Sequence, residues 1–263
     1  MVAEDTVSTA GPSPVPAVAR AMAILNVLAE RDGVAATASD LARTLGRPKS
    51  STANLCVALE QEGLISRRGN GYLLGRKLAE LGGRYLSSLD EVAEFYALCR
   101  RSPVLSRETV RASILDGLDV LYLARYDGVH PLRLTANIGD RFPASCTATG
   151  KVLLAGLDPA VLADRLRGTT TLPMLTPRSI ATVPSLLAEL EVIRARGWAE
   201  DDEETTPGVT CFAVPVGPPR LLARFAVSVT VLTTRIGSDV DREELITALR
   251  GVADGMASPL TPS

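Results

Sequence analysis

The stretch SDLARTLGRPKSSTANLCVALEQEGLISRRGNGYLLG, residues 39–75, carries two short helical patterns, a tight turn and a hairpin signal in succession. Thr37 or Ser39 caps the first helix, in which Leu41, Ala42 and Leu45 face inward and Gly46 marks the end. After Gly46-Arg47-Pro48 a second helix starts at Lys49. Its inward set reads as Leu55, Ala58 and Leu59, which leaves Ser50, Ser51, Asn54 and Val57 to a partner. Two short helices joined by a glycine-containing turn match the helix-turn-helix arrangement, whose second helix enters the DNA major groove by its N-terminal residues. Gly69-Asn70-Gly71 between apolar ends is a hairpin signal, and a hairpin directly after a recognition helix is a wing.

A helix that reads DNA presents short polar side chains and a cation at its N-terminus, where backbone amides and the helix dipole already favour phosphate. Lys49, Ser50, Ser51 and Thr52 supply that set. Asn54, one turn on, has the amide that pairs bidentately with adenine N6 and N7, and Arg67 and Arg68 in the wing suit backbone phosphates. The plainer alternative is that Ser50 or Ser51 only caps the helix and the arginines are solvated.

Working outward, the run through Pro16 is rich in Pro, Ser, Thr and Ala and reads as a disordered arm. VARAMAILNVLAE follows as a helix with Val18, Met22, Leu25 and Leu28 at helical spacing, widened by Ile24 and Val27. Downstream of the wing, Leu78, Leu81, Tyr85 and Leu89 give a linker helix. From Val92 a helix (EVAEFYALCRRS) precedes strand-like runs (RASILDG, DVLYLARYDG, PLRLTANIG), helical runs (GKVLLAGLDPAVLADRLRG, VPSLLAELEVIRARG), strands (CFAVPV, RFAVSVTVL) and a closing helix (DREELITALRGVADGMAS). Hairpins flanked by helices predict an α+β sensor domain. The chain thus divides into a tail 1–14, a winged helix-turn-helix domain 15–76, a linker helix 77–91, an effector-binding and oligomerisation domain 92–258 and a short tail 259–263.

At 263 residues, length favours two domains, and 46% hydrophobic with 22% charged residues is a globular composition. The absence of a long uncharged apolar run and of a signal-peptide pattern predicts a cytoplasmic protein with no membrane partner. A net charge of −2 gives no global reason for nucleic-acid binding, but residues 15–77 hold nine basic side chains against five acidic ones. Cysteines 56, 99, 146 and 211 show neither CxxC pairing nor nearby histidines, which argues against zinc and against a disulfide framework.

The loop GDRFPASCTATGKVLLA invites a phosphate-binding reading and fails it on spacing, because a P-loop needs Gly where Ser145 stands and Ser or Thr where Val152 stands. What remains is a strand-to-helix turn of small residues, Ala148, Thr149 and Gly150, whose free amides suit a carboxylate. The acidic run Glu200-Asp201-Asp202-Glu203-Glu204 reads first as a solvated loop. His130, the sole histidine, stands alone beside Pro131, so Cys146 and Cys211 read as packing or pocket-lining residues.

AILNVLAE, the 39–65 helix-turn-helix, GYLLGRKLAELG, IGDRFPASCTATGKVLLA, RGWAEDDEETTPGVTCFAVPV and FAVSVT together resemble the IclR family of bacterial transcriptional regulators, over about residues 15–257. The resemblance implies an N-terminal winged helix-turn-helix, a linker helix and a C-terminal effector-binding domain of GAF or PAS type with an antiparallel sheet flanked by helices. It implies homodimers or dimers of dimers on palindromic double-stranded DNA operators, acting as repressors or activators; from the residues themselves no cofactor and no metal is expected. It places a small-molecule effector, a carboxylate or an aromatic metabolite, among Leu134, Ala148, Thr149, Asp201, Cys211, Ser228 and Thr230. Arg133 or Arg141 at the pocket mouth would add charge complementarity or lie on the surface. The chain departs from relatives at Asn54, where many carry arginine, and at Ala148-Thr149, where the pair is commonly smaller. Two rivals are an enzyme working through Cys146, Asp201 and Cys211 with the winged helix as a docking module, and an interaction protein without a DNA site.

Overall fold

The computed structural model describes residues 14–132, 136–217, 225–237 and 240–257. The chain forms two compact units that divide between Ser88 and Leu89.

The first unit contains α1 (Pro16–Ala29), α2 (Ala38–Thr44), α3 (Lys49–Gln61), the strands β1 (Ile65–Arg68) and β2 (Gly71–Leu74), and α4 (Arg76–Ser87). Its core gathers Ile24, Leu25 and Leu28 of α1, Leu41 of α2, Cys56 and Leu59 of α3, and Ile65 and Tyr72 of the hairpin. Val18 and Met22, expected inward, are more than half exposed, because the apolar stripe of α1 narrows to Ile24, Leu25 and Leu28. Thr37 is the α2 cap: its hydroxyl accepts from the Asp40 amide at 3.1 Å while Asp40 accepts from the Thr37 amide at 3.1 Å, a capping box that satisfies two otherwise unpaired donors. On α3 the buried set is Thr52, Cys56 and Leu59, whereas Ala58 is exposed and Leu55 only partly covered. The hairpin pairs Arg68 with Gly71, leaving Gly69-Asn70 as a two-residue turn. Gly69 alone takes positive φ there, at 59°, the pattern of a II′ turn that matches strand twist. The single linker helix expected over 77–91 is instead α4, ending at Ser87, followed by a new helix from Asp90. Leu78 packs on the first core while Leu81 and Tyr85 of α4 are exposed.

The second unit contains α5 (Asp90–Arg101), β3 (Thr109–Asp116), β4 (Asp119–Asp127), β5 (Arg141–Pro143), α6 (Ala148–Ala155), α7 (Pro159–Arg165), α8 (Val183–Arg196), β6 (Ala199–Asp202), β7 (Val209–Pro215), β8 (Phe225–Leu232) and α9 (Arg242–Ala257). Its six strands form one antiparallel sheet in the order β5-β4-β3-β8-β7-β6. Side chains alternate between its faces. Ala226 of β8 and Ala213 of β7 pack with Val152 and Leu153 of α6 and Leu186 and Leu190 of α8. On the opposite face, the Phe212 ring of β7 lies 5.6 Å from the Arg242 guanidinium of α9. The α+β class and the two-domain organisation expected from the sequence are what the chain adopts. PLRLTANIG, expected as a strand, is irregular in its described parts, with turns at Ile138–Gly139 and residues 133–135 outside the described set. The short edge strands β5 and β6 were not anticipated.

Candidate functional site

Strand register builds the floor of a cavity. Thr109 pairs with Thr230, Thr230 with Cys211, and Cys211 with Asp201, while one step along the sheet Arg111 pairs with Ser228. Period-two alternation puts both rows on the face that α6 covers. The wall is the start of α6, where Thr147 is the cap and accepts from the Gly150 amide at 3.0 Å. Glycine is required at 150: a Cβ there would stand 2.3 Å from the Cα and carbonyl oxygen of Ala144. Beside this helix start lies a partly open cavity of about 40 Å³ whose lining includes Ala148, Thr149, Asp201, Cys211, Ser228 and Thr230. Six of the seven expected effector residues are therefore brought together, and Leu134 lies outside the described residues.

The first amides of a helix have no intrahelical partner, so the Ala148 and Thr149 N–H groups are unpaired donors at the cavity. The Thr149 hydroxyl is buried beside them near the Tyr122 phenol, with no hydrogen bond of good geometry. A buried hydroxyl left unpaired costs about 1–3 kcal/mol, so this corner favours an occupant that bonds it. Asp201, by contrast, is engaged by its own turn. Its Oδ1 accepts from the amides of Glu204 (2.7 Å) and Thr205 (3.2 Å), and its Oδ2 from the Thr205 hydroxyl (2.6 Å). Burial pushes the Asp201 carboxyl above its usual range, and those three bonds pull the other way.

The acidic run is thus not a solvated loop. It forms the edge strand β6 and a tight turn, in which Glu204 is buried against the Lys151 ammonium of α6. Two charges leaving water together explain the arrangement: each would be costly alone. Burial raises Glu204 to about 7, with Lys151 opposing the shift, and Glu204 Oε2 has no hydrogen-bond partner. Among the described residues no group of His, Cys, Asp and Glu has the makings of a metal site.

Sequence reasoning missed the rest of the lining, which includes Tyr122, Phe142 and, as its one basic side chain among the described residues, Arg111. Arg111 on β3 is 3% exposed; its Nε donates to the Ala136 carbonyl at 2.9 Å and its Nη1 to the Thr230 hydroxyl at 2.6 Å. Burial lowers its pKa, yet a guanidinium stays charged. The signal was present as a lone arginine in the strand-like run RASILDG, in period-two phase with Thr109 and Ser113. Arg141 stands instead on the exposed edge, paired with Asp116, and Arg133 lies outside the described residues.

In the first unit, Lys49, Ser50 and Asn54 are exposed along α3. Neither serine caps the helix; the cap position is Pro48, which has no side-chain donor or acceptor, so the opening amides stay open to an anion. Ser51 is half-buried and its hydroxyl donates to the Pro48 carbonyl at 3.1 Å. Thr52 departs from the DNA-facing set: it is buried and its hydroxyl donates to the same carbonyl at 3.0 Å. The two wing arginines also differ. Arg67 braces the wing on α3, donating to the Tyr72 hydroxyl at 2.7 Å and pairing with Glu60 at 3.4 Å, whereas Arg68 projects exposed.

The profile of the bacterial transcriptional regulator IclR C-terminal domain matches residues 83–257, and that of the IclR helix-turn-helix domain matches residues 17–69. The chain belongs to the IclR family. It is 30% identical over 250 residues to the HTH-type transcriptional regulator KdgR of Dickeya chrysanthemi, covering 93% of this chain and 81% of that one. The crystal structure of an IclR transcriptional regulator from Alicyclobacillus acidocaldarius superposes with a TM-score of 0.80 at 26% identity, covering 93% of this chain and 98% of that chain. An IclR homologue from Microbacterium hydrocarbonoxydans, solved in complex with 4-hydroxybenzoate, shares the fold with a TM-score of 0.76 at 22% identity over 92% of this chain and 97% of that chain.

As an IclR-family member the chain is a DNA-binding transcriptional regulator, and the enzyme reading falls. The chemistry agrees: burial raises the Cys211 thiol to about 12 and lifts Cys146 as well, the opposite of an activated thiolate. His130 is exposed and lines a different cleft, with Arg107 and Arg235. Among the described residues no helix is long and apolar enough to cross a membrane.

Proposed function

We propose that this IclR-family regulator binds a palindromic operator as a homodimer or a dimer of dimers in the cytoplasm, and that a small organic acid in the C-terminal cavity shifts its DNA affinity. The reading is carried by one observation: the Thr149 hydroxyl, without a hydrogen bond of good geometry, beside the open Ala148 and Thr149 amides, all at the cavity. Hydrogen-bond donors at a helix start suit a carboxylate. Asp201 acts through its turn, holding Glu204 and Thr205 in place, while Cys211, Ser228 and Thr230 meet the rest of the ligand. The complex of the Microbacterium hydrocarbonoxydans homologue with 4-hydroxybenzoate is a precedent for the chemical class and not for the molecule.

At the DNA, Lys49, Ser50, Ser51 and the first amides of α3 hold phosphate, Asn54 reads a base edge, and Arg68 holds phosphate from the wing. Arg67 contributes by bracing the wing. Val18 and Met22 of α1 and Leu81 and Tyr85 of α4 are large exposed apolar side chains, which supports self-association. The test is fluorescence anisotropy of the full chain on the DNA just upstream of its own gene, with and without small acids at millimolar concentration. The proposal expects one of them to move the binding midpoint several-fold. Specific binding untouched by every acid that occupies the cavity would refute effector control.

A further inference from the structure

We propose that the DNA-binding surface runs past α3 onto α1, where Arg20 of α1 and Arg47 of the α2–α3 turn grip one stretch of sugar-phosphate backbone between them. The inference rests on reading α3 as the DNA-reading helix, and it adds two residues to that contact. Both arginines line one groove of about 180 Å³ between α1 and the start of α3, together with Ser51. The rest of its lining is largely apolar, with Ala19 and Ala23 on α1 and Leu55 on α3. Small side chains at Ala19 and Ala23 let a partner's backbone come close. A deoxyribose offers C–H groups to such a floor while its phosphates meet the guanidinium groups, and contacts of this kind fix register on the duplex without reading sequence.

The place of Arg47 in the turn points the same way. Gly46 takes a φ of 59°, its amide donates to the Arg43 carbonyl at 3.2 Å, and the Arg47 amide donates to the Ala42 carbonyl at 2.9 Å. These two bonds are a Schellman motif, in which the position held by Arg47 frequently carries an apolar side chain packed back on the helix. Here an exposed arginine stands there, so packing does not account for it. Ion pairing separates the basic side chains of the first unit further. Arg43 lies 3.4 Å from Asp40, Arg67 3.4 Å from Glu60 and Lys77 2.9 Å from Glu80. Among the described residues neither Arg20 nor Arg47 is ion-paired, and both are exposed. A phosphate therefore displaces no internal partner from either one, and each guanidinium can meet it through two parallel N–H groups.

The test is fluorescence anisotropy of the full-length protein, in a salt series, on a duplex that it selects from a random pool and on a scrambled duplex. Each phosphate contact adds about 0.9 to the slope of log affinity against log salt, or roughly fourfold in affinity at about 0.2 M salt. Arg20→Gln and Arg47→Gln are each expected to lower the slope by about 1 and the double variant by about 2, with equal loss on both duplexes, while Arg47→Lys keeps the slope. An unchanged slope in either glutamine variant overturns the inference. So does a loss confined to the selected duplex, which is the signature of base reading, or an equal fall in Arg100→Gln, which removes an exposed charge from the second unit and would show that net charge and not contact is at work. Arg20 and Arg47 stand on separate elements, so a variant that fails a thermal melt leaves the other to decide. A wild type that binds neither duplex at low salt overturns the DNA-reading role of α3 as well, a different failure from wild-type binding that both variants leave intact.

Discussion

Lys49, Ser50 and Asn54 lie exposed on α3 while Thr52 between them is buried, and the 100° step of a helix is the reason: residues two apart point to nearly opposite sides. Replacing Lys49 with alanine is expected to weaken binding to all DNA sequences alike and to lower the slope of log affinity against log salt by about 1, read by anisotropy across a salt series. Asn54→Ala should act differently, relaxing discrimination at one base position by about 1–3 kcal/mol. A binding-site selection in which the variant keeps the wild-type preference would end the base-reading role. Residue types and spacing made the α3 start legible. They did not show that Thr52 turns inward, because a threonine bonding the carbonyl four residues back looks the same in sequence as one facing solvent. Arg111 was hidden for a related reason: an isolated arginine in an apolar strand gives no sign of what covers it.

At the scale of elements, caps and close approaches set both sites. Thr37→Ala breaks the capping box of α2 and is expected to destabilise the helix-turn-helix by about 1 kcal/mol, seen as faster hydrogen exchange of α2 amides. Gly150→Ala drives a methyl into the Ala144 backbone and should cost about 3 kcal/mol or more in urea unfolding, since backbone cannot yield as a side chain does. The Lys151 and Glu204 pair ties α6 to the turn that carries Asp201, and it gives a pH signature. Glu204 holds its proton up to about 7 when folded and loses it near its ordinary 4.5 when unfolded. Between those values the folded state binds the extra proton, so this group's stabilisation is full below 4.5 and fades as pH rises through about 7. Urea midpoints at pH 5 and pH 7.5 should show that fall in the wild type and a smaller one in Glu204→Gln; equal slopes would remove Glu204 as its source. The sequence made α6 and its open amides readable. The acidic run misled because charge pattern alone cannot tell a solvated loop from an edge strand whose partner lysine comes 53 residues earlier.

For the whole molecule, two compact units in one chain put the helix-turn-helix and the proposed effector cavity on separate bodies, and the proposed control requires that occupancy of one change the affinity of the other. The order of helices, hairpin and α+β domain was legible because each segment's periodicity agrees with its neighbours. The exposed apolar residues of α1 and α4 predict an assembly that Met22→Asp with Leu81→Asp should weaken, read as a lower mass by sedimentation. By linkage, an acid that releases DNA must bind more weakly to the DNA-bound protein, by the same factor. The measurement is therefore fluorescence anisotropy of the full chain on the DNA upstream of its gene and on a scrambled duplex, in a salt series, with and without a small acid that calorimetry shows to fill the cavity. The expected outcome is tight, salt-dependent binding to the upstream duplex alone and a several-fold change in its midpoint with that acid. Equal binding to both duplexes would rule out an operator there, and a midpoint that does not move when calorimetry shows the cavity filled would rule out effector control.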